Sequence, residues 1–174
     1  MSQVARFFID RVPTPIGTMH IVADEVGNLR VAFFAEEDDS IRSHLQKHYG
    51  KNSFSLDRAD DPHGFTTALQ GYFAADLNAI DSIPVKAIGT DFQQDVWRAL
   101  RRIPCGTTTS YGKIAQHVGR PTAVRAVGLA NGSNPIAVVV PCHRVIGSNG
   151  SLTGYGGGLN RKRWLLDHES KRLF

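Results

Sequence analysis

Cysteine is scarce in this chain: Cys105 and Cys142 are the only two in 174 residues. That is too few for a disulfide scaffold, or for a structural zinc site built mainly from thiolates. In a reducing compartment a special cysteine is a reactive candidate rather than a bridging one. Long apolar runs are missing as well. No stretch approaches the roughly 18 residues needed to span a bilayer, so no membrane partner is expected. The start Met1-Ser2-Gln3-Val4-Ala5-Arg6, with Asp10 close behind, lacks the basic and apolar regions of a secretory signal. A cytoplasmic protein is the expectation. The seven histidines are scattered, and neither Cys-x-x-Cys nor His-Glu-x-x-His occurs. His44 and His48 stand four residues apart and can pair on a metal, but a polar helix face is the better account. No metal is assigned. Internal repeats and low-complexity segments are also absent.

A 41% hydrophobic content and this length fit one large domain or two small ones with a working core. The formal charge of +4 mildly favours a polyanionic partner without requiring one.

The first third alternates as strands do. Val4 to Val12 forms one strand ending at Pro13-Thr14-Pro15. Met19, Ile21 and Ala23 mark a second; Leu29, Val31 and Phe33 mark a third after Val26-Gly27-Asn28. Ile41, Leu45 and His48 predict a helix near Asp39 to Tyr49. Asn52 to Asp61 reads as loop with some extended chain, and Thr66 to Ala75 as a short helix. In the second half, Thr90 with Gln93 three residues on predicts a capping box. Phe92, Val96, Leu100 and Ile103 follow as an apolar stripe that Pro104 stops. Tyr111, Ile114, Ala115 and Val118 give a second helix, Gly119 to Thr122 a tight break, and about Ala123 to Ala130 a third: a helix-turn-helix. Ile136 to Val140 reads as a buried strand or extended segment, Gly147 to Gly158 as glycine-rich loop, and Asn160 as the cap of a last helix reaching Glu169. The fold class is α+β. Residues 1–85 form an α/β N-terminal domain with a small antiparallel sheet and helices, and residues 86–174 a mostly helical C-terminal domain.

A few positions could carry the chemistry. Cys142 leaves the apolar segment after Pro141, whose ring fixes φ, and His143 and Arg144 follow it. Positive charge or an imidazole partner activates a thiol by lowering its pKa; the alternative is a buried structural cysteine beside a surface histidine. Glu169 shares a helix face with Leu165 and Leu166. A carboxylate on an apolar face needs a partner, and a histidine suits it; a solvated Glu169 in a fraying turn is the alternative. The third helix carries Ala126, Gly128, Ala130 and Gly132 although glycine disfavours helices. Either it packs closely on a neighbouring helix, or it lies in a nucleic-acid groove with Arg125 as its one long side chain. Tyr111 starts the preceding helix, either as a DNA contact or as a packed tyrosine.

The blocks Pro141-Cys142-His143-Arg144-Val145, Thr153 to Gly158 and Trp164 to Glu169 closely resemble the 6-O-alkylguanine-DNA alkyltransferases. Ile103 to Gly106, Ser110 to Gly112, Arg125 to Gly128 and Asn131 to Pro135 agree, in order, so the likeness runs from about Thr90 to Glu169. It looks like the stand-alone bacterial form. The resemblance implies that Cys142 is the nucleophile, that His143 takes its proton through a bound water, and that Glu169 orients His143. It implies that Asn134 supports the cysteine segment and that Tyr111 assists guanine departure. Arg125 fills the gap left by a flipped nucleotide, with Ala126, Gly128 and Gly132 along the DNA-binding helix. Val145, Tyr155, Gly156 and Asn131 belong to the substrate pocket. The implied partner is double-stranded DNA carrying alkylated guanine, with the 4-oxygen of thymine a further candidate. No cofactor is implied, and a monomer in solution is expected. Some relatives hold zinc through N-terminal cysteines; none precedes Cys105 here, so no such site is expected. A non-catalytic lesion binder, a helix-turn-helix regulator and a cysteine hydrolase are the competing readings.

Overall fold

The computed structural model describes residues 4–170. The chain divides into two compact units, Met1–Ile88 and Gly89–Phe174. The first holds strands β1 (Ala5–Thr14), β2 (Gly17–Asp24), β3 (Leu29–Phe34) and β4 (Phe54–Arg58), with helices α1 (Asp39–Tyr49) and α2 (Phe65–Phe73). The sheet order is β3-β2-β1-β4. β1, β2 and β3 pair antiparallel, but β4 runs parallel to β1, so the sheet is mixed rather than antiparallel. The crossover through α1 causes this: a chain that leaves β3, crosses the sheet as a helix and returns beside β1 arrives in the parallel sense. Phe54 to Arg58 has only Phe54 and Leu56 on one face, too little alternation to stand out from loop.

Phe7, Ile9, Val22 and Val31 on the sheet pack with Ile41 and Leu45 of α1 into one buried cluster. Asp24 closes the β2–β3 turn. Its Oδ1 accepts from the Asn28 backbone N at 2.8 Å, and its Oδ2 from Arg30 Nε at 2.7 Å. The signal-poor stretch after α2 stays with this unit, since Leu29 N donates to Pro84 O (2.8 Å) and Lys86 N to Leu29 O (3.0 Å). These bonds carry the unit past residue 85 to Ile88.

The second unit holds α3 (Asp91–Arg101), β5 (Thr109–Ser110), α4 (Tyr111–His117), α5 (Val124–Gly132), β6 (Val145–Ile146) and α6 (Leu159–Ser170). Thr90 and Gln93 form the capping box at the start of α3, with bonds of 3.1 and 2.9 Å. Ser110 Oγ caps α4 by accepting from Lys113 N at 3.2 Å. Gly119, at φ 75°, lets the chain reverse between α4 and α5. β5 and β6 pair in parallel, which ties the two residues just before α4 to the segment after Cys142. Two local expectations fail. Ile136 to Val140 is a chain of turns, not a strand: Val140 N bonds Ile136 O at 3.0 Å, and Val138 sits at φ 71°. The cause is Asn134, whose side chain takes Ile136 N (3.0 Å) and Val140 O (2.8 Å) and curls the segment around itself. Asn160 is not the cap of α6 but lies within its first turn.

Gly89 opens this unit where no side chain fits. A Cβ there would come within 2.5 and 2.6 Å of the buried Trp97 ring. Gly89→Ala is therefore expected to destabilise the protein by about 1–3 kcal/mol through overpacking, seen as a lower denaturation midpoint followed by Trp97 fluorescence; an unchanged midpoint would mean the ring is free to shift.

Candidate active site

The centre of the second unit is an ionic cluster with little access to water. Cys142, His143 and Arg144 form one turn of 3-10 helix, and all three are buried. Glu169 projects from the last turn of α6 with its side chain fully buried. Its Oε1 lies 2.7 Å from His143 Nε2 and 2.8 Å from an Arg144 terminal nitrogen; its Oε2 accepts from Arg144 Nε at 2.9 Å. The second terminal nitrogen of Arg144 donates to Ile103 O at 2.7 Å. Arg144 is thus a two-pronged clamp on Glu169, not a charge beside the thiol. This forked geometry is the strongest arrangement an arginine makes with a carboxylate.

The shifts follow from these contacts. Burial works to raise the Glu169 pKa, but hydrogen bonds from His143 and Arg144 and their charges prevail and hold the carboxyl well below 4.5. It is an anion, so His143 Nε2 must carry the proton it shares with Oε1, leaving Nδ1 as the basic nitrogen. Nδ1 is buried with no hydrogen-bond partner among the described residues. Burial pushes the His143 pKa below 6.5 despite Glu169, so the ring is neutral at neutral pH. Burial also pushes the Cys142 thiol up, opposed by a hydrogen bond from Asn134 and by the charge of Lys162. The resting sulfur is therefore a thiol. The sequence pointed to neighbouring positive charge that would ionise it, but Arg144 is spent on Glu169.

Lys162 was missed by sequence reasoning. Its side chain is wholly buried, and Nζ donates to Val145 O (2.6 Å), Thr153 O (2.8 Å) and Gly154 O (3.2 Å). Three carbonyls compensate a charge that would otherwise be costly to bury, and they hold the glycine-rich loop against the segment after Cys142. The signal was available: Lys162, Leu165 and Glu169 are spaced three and seven apart on one face of α6.

The other sequence-assigned residues fall into two groups. Asn131 is buried, with Nδ2 3.4 Å from Cys142 O. Asn134 holds the turns before Cys142, as above. Tyr111 donates its hydroxyl to Thr153 O at 2.9 Å, so it meets the same carbonyl as Lys162. Val145 is buried beside Cys142. Tyr155 has a buried hydroxyl with no hydrogen-bond partner among the described residues, and burial, then the proximity of Cys142, suppresses its ionisation. Gly156 is exposed with open space where a side chain would stand. Arg125, Ala126 and Gly132 do not join this centre; they lie exposed along α5. Gly128 faces inward, 4.0 Å from the Tyr111 ring if a Cβ is built on it. Arg125 is not the only long exposed side chain of α5, because Leu129 is 73% exposed. A separate cleft of about 330 Å³ opens between α3 and α4, lined by Arg102, Lys113 and His117 among others, and includes no assigned residue. Among the described residues no group of three or more His, Cys, Asp or Glu side chains is placed to hold a metal. No helix is long and apolar enough to cross a membrane.

Charge is distributed unevenly. Between Asp95 and Asp167 there is no acidic residue at all, while ten lysines and arginines occur. That stretch spans α4, α5 and the cysteine turn; apart from the buried Arg144 and Lys162, its eight other cations are exposed or half-exposed, which suits a polyanion.

Because the folded-state pKa of Glu169 is depressed, its stabilisation is complete above about 4.5 and is lost as pH falls below that. Glu169→Gln is expected to lower stability at pH 7 and to flatten the loss on acidification in urea titrations from pH 7 to 3. Parallel acid profiles for both proteins would exclude the clamp as its source.

Comparison with known proteins places this geometry. Residues 91–171 match the family described as 6-O-methylguanine DNA methyltransferase, DNA binding domain. A methylated-DNA–protein-cysteine methyltransferase of Shigella flexneri is 47% identical over 168 residues, 97% of this chain and 98% of its own. The Mycobacterium tuberculosis protein of that name is 59% identical over 115 residues, 64% of this chain and 69% of its own. The crystal structure of the Mycobacterium tuberculosis O6-methylguanine methyltransferase superposes with a TM-score of 0.79 at 42% identity, covering 95% of this chain and 94% of the other. The structure of that protein in complex with DNA gives 0.78 at 42% identity, over 96% and 94%. The chain belongs to the methylated-DNA–protein-cysteine methyltransferase family.

Proposed function

We propose that this protein repairs alkylated duplex DNA by moving the alkyl group from the 6-oxygen of guanine to the sulfur of Cys142, once and irreversibly. The observation that carries the reading is the buried line from Glu169 to His143 to the cysteine turn, in which a fixed carboxylate leaves His143 Nδ1 as a neutral base. The proton of the Cys142 thiol passes to that nitrogen through a bound water, because Nδ1 meets no protein partner among the described residues. The thiolate attacks the alkyl carbon, a sulfur–carbon bond forms, and the carbon–oxygen bond breaks with its electron pair on guanine. Tyr111, held near the glycine-rich loop through Thr153 O, supplies a proton to the departing base. Lys162 stabilises the transient sulfur anion and keeps the loop in place. The product is a thioether without a leaving group, so the protein is consumed. No redox or activated donor is needed, because the lesion brings its own leaving group.

The target carbon is stacked inside the duplex, and extruding its nucleotide costs a few kcal/mol. The acid-free stretch supplies phosphate contacts, and Arg125 on the exposed face of α5 occupies the vacated place. Alkylated thymine offers the same leaving-group chemistry at its 4-oxygen and is the secondary substrate. A protein acting on chromosomal DNA is expected in the cytoplasm, and because one chain carries the whole Cys142–His143–Glu169 set, a monomer suffices. The presence of Cys142 argues against a purely lesion-sensing role, and membership of a family of protein-cysteine methyltransferases argues against a hydrolase.

Incubation with a duplex carrying one 6-O-methylguanine is expected to add one methyl per chain, on the peptide containing Cys142, and none to Cys142→Ser; peptide mass spectrometry decides. Several turnovers per chain, or a methyl elsewhere, would reject the reaction. The neutral form of His143 is the active base, and its pKa lies below 6.5. The transfer rate should therefore stay level through neutral pH and fall only under pH 6.5. An acid limb beginning above 6.5 in a stopped-time pH series would contradict a buried base.

A further inference from the structure

The reaction leaves one sequence motif unused, the pair His44 and His48 on α1. Most other histidines are committed. His20 Nδ1 faces Asp38 Oδ1 at 2.9 Å, His63 Nε2 lies 2.7 Å from Asp24 O, His143 bonds Glu169, and His168 stacks on Trp164. His44 and His48 make no hydrogen bond or ion pair among the described residues, so their ring nitrogens are open to a ligand. Spacing alone favours a polar helix face for them. The structure adds that the two rings meet, with centroids 4.4 Å apart and planes inclined by 46°. His44 is half-buried, and the Phe33 ring of β3 packs edge-to-face on it at 6.0 Å, which restricts its rotation; His48 is exposed.

Imidazole is a ligand that suits nickel, copper and zinc. A metal about 2.0–2.1 Å from a nitrogen of each ring stands about 3.2 Å from each ring centre, so bonds at a right angle put the centres about 4.5 Å apart. Tetrahedral bonds would need about 5.2 Å. The observed 4.4 Å suits the right angle, which copper(II) and nickel(II) adopt in square-planar and tetragonal sites. The Lys47 ammonium opposes a cation here, but it is exposed on a flexible stem and can turn away.

We propose that His44 and His48 form a chelate site for a divalent transition ion of tetragonal preference, copper(II) or nickel(II), with water in the remaining positions. The site is not the one by which some relatives hold zinc through N-terminal cysteines, since no cysteine precedes Cys105. Its two ligands come from successive turns of one helix, so the ion cross-links α1 between them. Ile41 and Leu45 of α1 belong to the buried cluster of the first unit, and an ion bound only by the folded helix stabilises that unit. Cys142 lies in the other unit, so the proposal stands apart from the alkyl-transfer reading.

The test titrates the full-length, EDTA-treated protein with Ni²⁺ by calorimetry, for the wild type, His44→Asn and His48→Asn. The controls are Cys142→Ser and His117→Asn, the latter at an exposed histidine outside the pair. The wild type is expected to bind one Ni²⁺ per chain. His48→Asn should bind about a hundredfold more weakly, because the second bond of a pair forms within one molecule. His44→Asn should lose as much, and both controls should bind as the wild type does. Saturating Ni²⁺ should raise the thermal unfolding midpoint of the wild type and leave that of His48→Asn unchanged. Wild-type affinity in His48→Asn overturns the proposal, and this exposed position decides even where His44→Asn fails to fold. An equal loss in His117→Asn also overturns it, by making the binding a general property of surface histidines. So does an equal loss in Cys142→Ser, which would put the ion on the thiol.

Discussion

Everything in the second unit is organised around one buried carboxylate. Glu169 sits at the end of α6 without water, and an unpaired anion there would be untenable. Arg144 and His143, both from the cysteine turn, supply its counter-charge and hydrogen bonds. The same contacts that allow the carboxylate to be buried fix the position of the turn. They also fix which imidazole nitrogen bears a proton. Stability and chemistry are thus served by the same three bonds, and a change at Glu169 cannot affect one alone.

Around that cluster, polar side chains capture backbone groups that no regular element satisfies. Asn134 coils the residues before Cys142, and Lys162 gathers three carbonyls after it. Buried backbone groups must find partners, and here those partners shape an irregular segment into a rigid one. Val138 at φ 71° shows the cost, since a β-branched residue enters that region only under constraint. A rigid segment suits a nucleophile that must be aligned with a carbon it meets once.

The resting thiol differs from the activated thiolate of many cysteine enzymes. Burial outweighs the neighbouring cation, so the sulfur is kept neutral until its proton is taken. A protein that is spent in a single reaction gains from a nucleophile that is unreactive toward casual electrophiles and oxidants. The surface we propose for DNA rests on a different principle, long-range positive charge from a stretch without acids.

Much of this was legible in the sequence for definite reasons. The helix over Asp39 to Tyr49, the capping box at Thr90 and the helix-turn-helix all rest on local periodicity and hydrogen bonds between near neighbours, which travel with the residues. Cys142, His143 and Glu169 could be singled out by type and helix face. Tertiary structure alone decided what depends on distant partners: the parallel strand β4, the coiling of Ile136 to Val140 around Asn134, and the commitment of Arg144 to Glu169 rather than to the thiol. Lys162 belongs there too, because a lysine on a helix face is normally solvated, and only its encounter with three carbonyls makes burial possible. Sequence determines which groups are available and their local order; the charge state of each is settled by what the fold places beside it, since desolvation and Coulomb energy depend on distance in space rather than along the chain.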